Sequence, residues 1–166
     1  TSSSINIDNS LLNCRINGLD SSKPDLIIID RYLKLKKNLK FINLSRFRKT
    51  YILTTCKENT KLSFFKKNKI KIIKINKFEA KRDFLYFLKK LKKLGKGRIL
   101  VEAGLTFINR LIEFGLISDL YIFKSCKQLK RNGYNNSKLN FLKQINQMTK
   151  IDVNLLGDTL FKARIK

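Results

Sequence analysis

Two stretches of this chain carry residue types in spacings that could do chemistry. The first is Val101-Glu102-Ala103-Gly104-Leu105-Thr106, where an aliphatic run meets a carboxylate, then small residues, then the start of an amphipathic pattern. A strand that turns sharply into a helix exposes backbone N–H groups at the positive end of the helix dipole, and a phosphate can approach them closely where a glycine stands. The same Gly104 can simply permit a tight turn, and Glu102 can be a capping or ion-pairing acid. Placement favours a ligand: open α/β sheets bind at the carboxyl ends of their strands, where a buried carboxylate needs a partner. The second stretch runs from Ser4 to Arg15, with Asp8 and Arg15 as its only charges. By itself it reads as a polar loop followed by a short extended piece, its two charges free to pair with each other.

Absences narrow the chemistry. The sequence has no histidine, which removes Ser-His-Asp and Cys-His catalysis and His-ligated zinc. Cys14, Cys56 and Cys126 are odd in number, scattered and without a CxxC pair. Neither a disulfide framework nor a zinc ribbon is expected, and a reducing cytoplasm suits them. The aliphatic run Leu26–Ile29 spans four residues, whereas a membrane helix needs about twenty. A 166-residue chain that is 43% hydrophobic and 30% charged has the composition of one folded domain. It is long enough to bury roughly 70% of its unfolded surface.

Thirty-seven Lys and Arg against twelve Asp and Glu leave a formal charge of +25. Such a field attracts any polyanion, including nucleic acid or a phosphorylated small molecule. The charge is spread along the whole chain, however, and Lys, Asn, Ile and Phe share AT-rich codons. Drift in an AT-rich genome accounts for the lysines and asparagines together.

The elements that must hold these residues alternate between strand and helix patterns. Asp25–Asp30 is an aliphatic run closed by an acid, Tyr51–Thr55 is rich in β-formers, and Lys69–Ile75 alternates before doubling its isoleucines. Phe84, Leu88, Leu91 and Leu94 follow helical spacing with Lys89, Lys90, Lys92 and Lys93 on the other side, and Gly95 closes that helix. Arg98–Glu102 reads as a strand and Thr106–Phe114 as a helix ending at Gly115, with Phe107, Ile108, Leu111 and Ile112 as its stripe. Asp119–Phe123 is a further strand, Arg131–Ser137 a polar loop and Leu139–Ile145 a short helix. Ile151–Leu155 and Asp158–Lys166 form two strands joined at Leu156-Gly157-Asp158. This pattern predicts an α/β fold with an antiparallel hairpin at its C-terminus.

Taken in order, these segments resemble the reductase domain of bifunctional riboflavin biosynthesis proteins. Thr1–Arg15 is similar to that family's "GT-x-x-x-D-[DN]-P-x-L-x-x-R" stretch, and Leu26–Leu35 to its "I-V-x-D-S-x-L-x-L" strand and loop. Leu100–Thr106 resembles its "VEGGPT" motif, Gly115–Phe123 its "GLVDEL-x-x-F" strand, and Gly157-Asp158 fits its last hairpin. The resemblance runs nearly the whole length of the chain, and the ordered set is more specific than any one motif.

The resemblance implies a dihydrofolate-reductase-like α/β fold, a mostly parallel sheet flanked by helices. It also implies NADPH-dependent reduction of 5-amino-6-(5-phosphoribosylamino)uracil to the ribitylamino compound, without a metal. Carried over by position, Ser4 and Asp8 contact the cofactor, and Gly104, Leu105, Thr106 and Phe107 bind its phosphates. Leu12, Arg15 and Glu102 line the substrate site. Arg31, which stands where the family usually has serine, either meets the 2′-phosphate of NADPH or is a surface residue. Ser10, Ala103 and Leu105 replace the family's Pro, Gly and Pro.

The family's reductase domain begins with a strand carrying "K-x-A-x-S-x-D-G" and a helix, neither of which matches any part of residues 1–166. The expectation is a reductase domain lacking its first strand and helix, inside a longer deaminase–reductase reading frame. A homodimer is the usual family state. Two other readings stand beside this one: a basic nucleic-acid-binding module, for which only the Lys89–Lys93 face qualifies, and a reductase of the same fold for another pterin- or pyrimidine-like substrate.

Overall fold

The computed structural model describes residues 2–12, 23–57, 60–127, 147–153 and 155–165. The chain divides into two compact units, Thr1–Glu102 and Ala103–Lys166.

The first unit is built on a parallel sheet of β1 (Leu26–Ile29), β2 (Thr50–Thr54) and β3 (Lys71–Lys74), in that order. Leu26 lies opposite Thr50, and Ile52 opposite Ile72. β2 is central and buried along all five residues, as its β-branched and aromatic composition requires. Helices α2 (Lys40–Leu44) and α3 (Thr60–Lys67) make the crossovers between successive strands, and α4 (Lys81–Lys93) follows β3. Ile28 and Ile52 join Ile5, Phe41, Ile42, Leu62 and Phe65 in one apolar cluster. Tyr51 and Leu53 are also buried, and strand alternation turns them to the opposite face. Buried outside that cluster are Phe84, Phe87 and Leu91 of α4, with Phe78 stacked on Phe84 at 4.1 Å between ring centres. Phe87 is therefore the core residue that the expected stripe omitted, while Leu94 caps the helix and is exposed. Gly95 follows at φ +77, the left-handed closure that glycine adopts without strain.

Two expectations for this unit are corrected. Residues Ser2–Asp8 form a helix, α1, rather than a loop. Ile5 is buried in the core, and the chain leaves the helix at Asn9 (φ 46). Asn6 and Asn9 then use their amides to hold the segment 34–40, so tertiary contacts override a weak intrinsic preference. The second correction concerns Arg98–Glu102, which belongs to no strand. Ile99, Leu100 and Val101 are exposed, Leu100 to 81%. Their composition suits a strand, but a strand exists through its partner's hydrogen bonds, and among the described residues no ladder includes them.

The second unit holds α5 (Leu105–Glu113), which buries Leu111 and Ile112 and ends before Gly115 at φ +64. Its antiparallel sheet has the order β4 (Asp119–Lys124), β6 (Thr159–Arg164), β5 (Thr149–Ile151). The expected C-terminal hairpin is present as β5–β6, but its first strand is Thr149–Ile151 rather than Ile151–Leu155. Lys150 lies opposite Phe161, and the turn at Leu156 and Gly157 has both residues at positive φ. β4 extends it on the other side, with Asp119 opposite Arg164. The loop and helix expected over residues 131–145 lie outside the described residues.

Candidate functional site

In the first unit the three parallel strands end together, and their carboxyl ends carry the polar groups. Asp30 closes β1 and is almost completely buried. Its two carboxylate oxygens accept from the backbone N–H groups of Lys34 and Leu35, each at 2.9 Å. That pairing satisfies a buried charge and holds the loop after β1 in a tight bend, with Leu33 at φ 52. One residue on, the Arg31 carbonyl accepts from the hydroxyls of Thr54 and Thr55 at the end of β2, both at 2.9 Å. The Arg31 position is thus clamped by the ends of two strands.

The Arg31 guanidinium reaches across the end of the sheet. It donates to the Phe78 carbonyl (3.2 Å) and the Tyr32 hydroxyl (3.1 Å), lies over the Tyr32 ring at 5.0 Å, and sits 3.7 Å from Glu79. Glu79 is remote from Arg31 along the chain and unremarkable in its surroundings, so the sequence alone gives no signal of this contact. Arg31 stays about one-third exposed, so its charge is open to a ligand as well as to Glu79.

Helix α1 is stitched to the segment that follows this bend. Asn6 donates to the Lys34 carbonyl (2.9 Å) and accepts from the Lys36 N–H (3.0 Å), and Asn9 accepts from the Lys40 N–H (2.8 Å). Ser4 and Asp8 ride on this helix one turn apart, half-buried and exposed respectively. The structure therefore ties the helix that carries both residues to the segment following Arg31. Leu12, at φ 47, packs against the apolar core of this unit. Its carbonyl and that of Leu11 accept from the buried guanidinium of Arg48, whose pKa is lowered by desolvation. Arg15 lies outside the described residues. Glu102 ends the first unit as an exposed side chain rather than as the tip of a buried strand.

In the second unit Gly104 is the N-cap of α5, with no side chain capping the helix. Its φ of −63 is open to any residue, so the turn does not need glycine's conformational freedom. A side chain at Gly104 would meet nothing within 4 Å, so this corner is open to an approaching group. The Phe107 N–H already donates to the Gly104 carbonyl at 2.9 Å. The N–H groups that an α-helix leaves without intrahelical acceptors at this end are the earlier ones, those of Leu105 and Thr106. An open glycine corner at an uncapped helix start fits a phosphate-bearing cofactor.

No helix among the described residues is long and apolar enough to cross a membrane. In fold the chain is similar to RibD of Acinetobacter baumannii in two forms. The TM-scores are 0.72 and 0.71, each at 18% identity, covering 98% and 97% of this chain and 44% of the other. It is also similar to a pyrimidine reductase-like protein from Corynebacterium diphtheriae, with a TM-score of 0.70 at 10% identity, covering 98% of this chain and 73% of that one. The chain thus spans less than half the length of the two RibD chains. No curated protein is similar enough to match. The sequence profile of the RibD C-terminal domain matches residues 2–127, and with three-quarters of its length so matched this chain belongs to the RibD C-terminal domain family.

Proposed function

We propose that this chain is a riboflavin-pathway reductase domain that uses NADPH to reduce 5-amino-6-(5-phosphoribosylamino)uracil. The observation that carries the reading is Arg31, a partly exposed cation clamped at the carboxyl ends of parallel strands and followed by a segment stitched to α1. Open α/β sheets take up ligands at that end, and a guanidinium is the side chain best suited to a phosphate. NADPH, when bound, supplies the hydride that reduces C1′ of a ribose opened to its imine or aldehyde form.

In the first unit, Arg31 turns from Glu79 toward the 2′-phosphate, and Ser4 and Asp8 contact the cofactor. Leu12, Arg15 and Glu102 hold substrate, with Arg15 forking onto its 5′-phosphate or ring edge and Glu102 accepting from ribose hydroxyls. In the second unit, Gly104, Leu105 and Thr106 offer backbone to the cofactor phosphates, and Phe107 follows them on the helix. No side chain in this scheme carries the proton that the imine nitrogen or aldehyde oxygen takes up as C1′ receives the hydride; that proton comes from solvent. The protein's contribution is alignment of the two reacting carbons.

The domain reading is of a reductase domain without its first strand and helix, belonging beside a deaminase domain and pairing as a homodimer in the cytoplasm. The deaminase domain, the homodimer and the location follow from the family resemblance alone, whereas a further strand beside β1 is supported by the contrast between the two edges of the parallel sheet. β3 carries Lys71 and Lys74, the charged guards usual on a free edge, whereas β1 is Leu-Ile-Ile-Ile with no charge at all. An uncharged aliphatic strand is the composition of a central position, and the strand-like run Ile99–Val101 is exposed in the same unit.

The test is direct. Joined to the family's first strand and helix, the chain is expected to oxidise NADPH only when the phosphoribosylaminouracil is supplied. A flat nicotinamide absorbance trace, with substrate that a working reductase consumes, would overturn the reading.

A further inference from the structure

We propose that the outer face of α4, with the cleft between it and the end of β3, binds single-stranded nucleic acid. The face is defined by spacing. Arg82, Tyr86 and Lys90 stand four residues apart on one side of the helix, so each is about 6 Å from the next along the axis. Tyr86 is 53% exposed, and the Lys90 ammonium lies 4.7 Å from the centre of its ring. An exposed ring with a cation one turn to either side offers a platform for one base and contacts for the phosphates flanking it.

The opposite wall supplies more positive charge. Lys74, Asn76 and Lys77 line an open cleft of about 490 Å³ together with Arg82, Asp83 and Tyr86. Lys90 donates to the Lys74 carbonyl at 3.0 Å, which joins helix and strand across the rim. Residues 71–93 hold nine cations and two acids, and both acids are engaged. Glu79 faces Arg31, and Asp83 accepts from the backbone N–H groups of Glu79 and Ala80 through one oxygen. Its other oxygen lies 3.9 Å from the Arg82 Nε, whose side chain stays 83% exposed. The start of α4 is therefore capped by its own carboxylate, and anion binding here rests on side chains rather than on the helix end.

The inference is independent of the reductase reading. Diffuse charge would attract any polyanion equally to every face of a +25 protein. This face adds an aromatic platform, which requires an unstacked base and so selects single strands over duplex.

Fluorescence anisotropy of the 166-residue chain with a labelled mixed-sequence DNA strand of about 12 nucleotides tests it. Tyr86→Ala is expected to weaken binding about tenfold, with Tyr86→Phe retaining it and affinity for heparin, which has no bases, unchanged. Arg82→Ala with Lys90→Ala should flatten the salt dependence by about 1.4 in the log–log slope. The control is Lys66→Ala with Lys67→Ala in the last turn of α3, a helix packed on the other apolar cluster. It removes the same charge and should leave the slope nearly unchanged. Equal slopes for the two double variants, or wild-type affinity in Tyr86→Ala, would overturn the proposal.

Discussion

The Arg48 guanidinium donates to the Leu12 carbonyl at 2.8 Å and, through its other terminal nitrogen, to the carbonyl of Leu11. A buried, always-charged fork thus holds the backbone of a stretch that holds no regular structure. Leu12 sits in the left-handed region there, which a side chain adopts only when its surroundings impose it. The residue that positions the Leu12 backbone is therefore 36 positions away in sequence.

Arg48→Met is expected to lower stability by about 2 kcal/mol, because two carbonyls lose their donors in a buried site. Arg48→Lys should recover only part of the loss, since an ammonium cannot fork onto both. Urea unfolding monitored by circular dichroism measures both. A midpoint unchanged in Arg48→Met would show that solvent replaces the guanidinium without penalty.

Asp30→Asn is expected to destabilise nearly as much as Asp30→Ala, by about 2 kcal/mol. The amide would turn a donor toward one of two backbone N–H groups that now each find a carboxylate oxygen. Equilibrium unfolding separates the cases. Wild-type stability in Asp30→Asn would mean that the bend after β1 needs one acceptor rather than two.

Asp83 accepts from the Glu79 and Ala80 N–H groups, and those bonds hold its pKa below the ordinary carboxylate value. A depressed carboxyl contributes stability above its unfolded pKa of about 3.9 and loses it as pH falls through the lower folded value. The first turn of α4 should therefore exchange its amide hydrogens faster, relative to its own intrinsic rate, as acid is added. Asp83→Ala should show that protection loss at neutral pH with no further acid dependence. Protection that is flat with pH in wild type would remove the carboxylate from the cap.

Arg31→Ala should reduce the preference for NADPH over NADH about tenfold, the size of one charge-assisted contact to the 2′-phosphate. Glu79→Gln should raise that preference by releasing Arg31 from its carboxylate neighbour at 3.7 Å. Titrating each cofactor against intrinsic fluorescence reads both variants. Parallel losses for NADPH and NADH in Arg31→Ala would place Arg31 away from the 2′-phosphate.

Leu100→Lys should change the stability of this chain by no more than about 0.5 kcal/mol, since the side chain is 81% exposed. Joined to the first strand and helix of the family, the same substitution should destabilise by about 2 kcal/mol or more as a buried strand position. Equal small effects in both contexts would show that no strand covers this run.

Much of the fold was legible from local pattern. The aliphatic run within 25–30 and the β-formers at 51–55 marked strands, observed at 26–29 and 50–54, because burial on both faces of a parallel sheet removes polar alternation. Gly95 and Gly115 marked helix ends because the left-handed closure excludes most side chains. The position of Arg31 next to a strand end was equally readable.

What the sequence by itself determined is therefore the three parallel strands, the helices α4 and α5, β4, the turn of the C-terminal hairpin, the family, and the local chemistry of each short stretch, but not the helices α1, α2 and α3. Only the tertiary structure decided which groups meet across long separations: Arg48 with Leu12, Asn6 with Lys34 and Lys36, Arg31 with Glu79. It also decided that Ser2–Asp8 coils into a helix and that Arg98–Glu102 joins no ladder, against their local appearance. The reason is the same in each case. A helix of seven residues or a strand of five has too little energy of its own, and takes its state from the surface or partner it packs against.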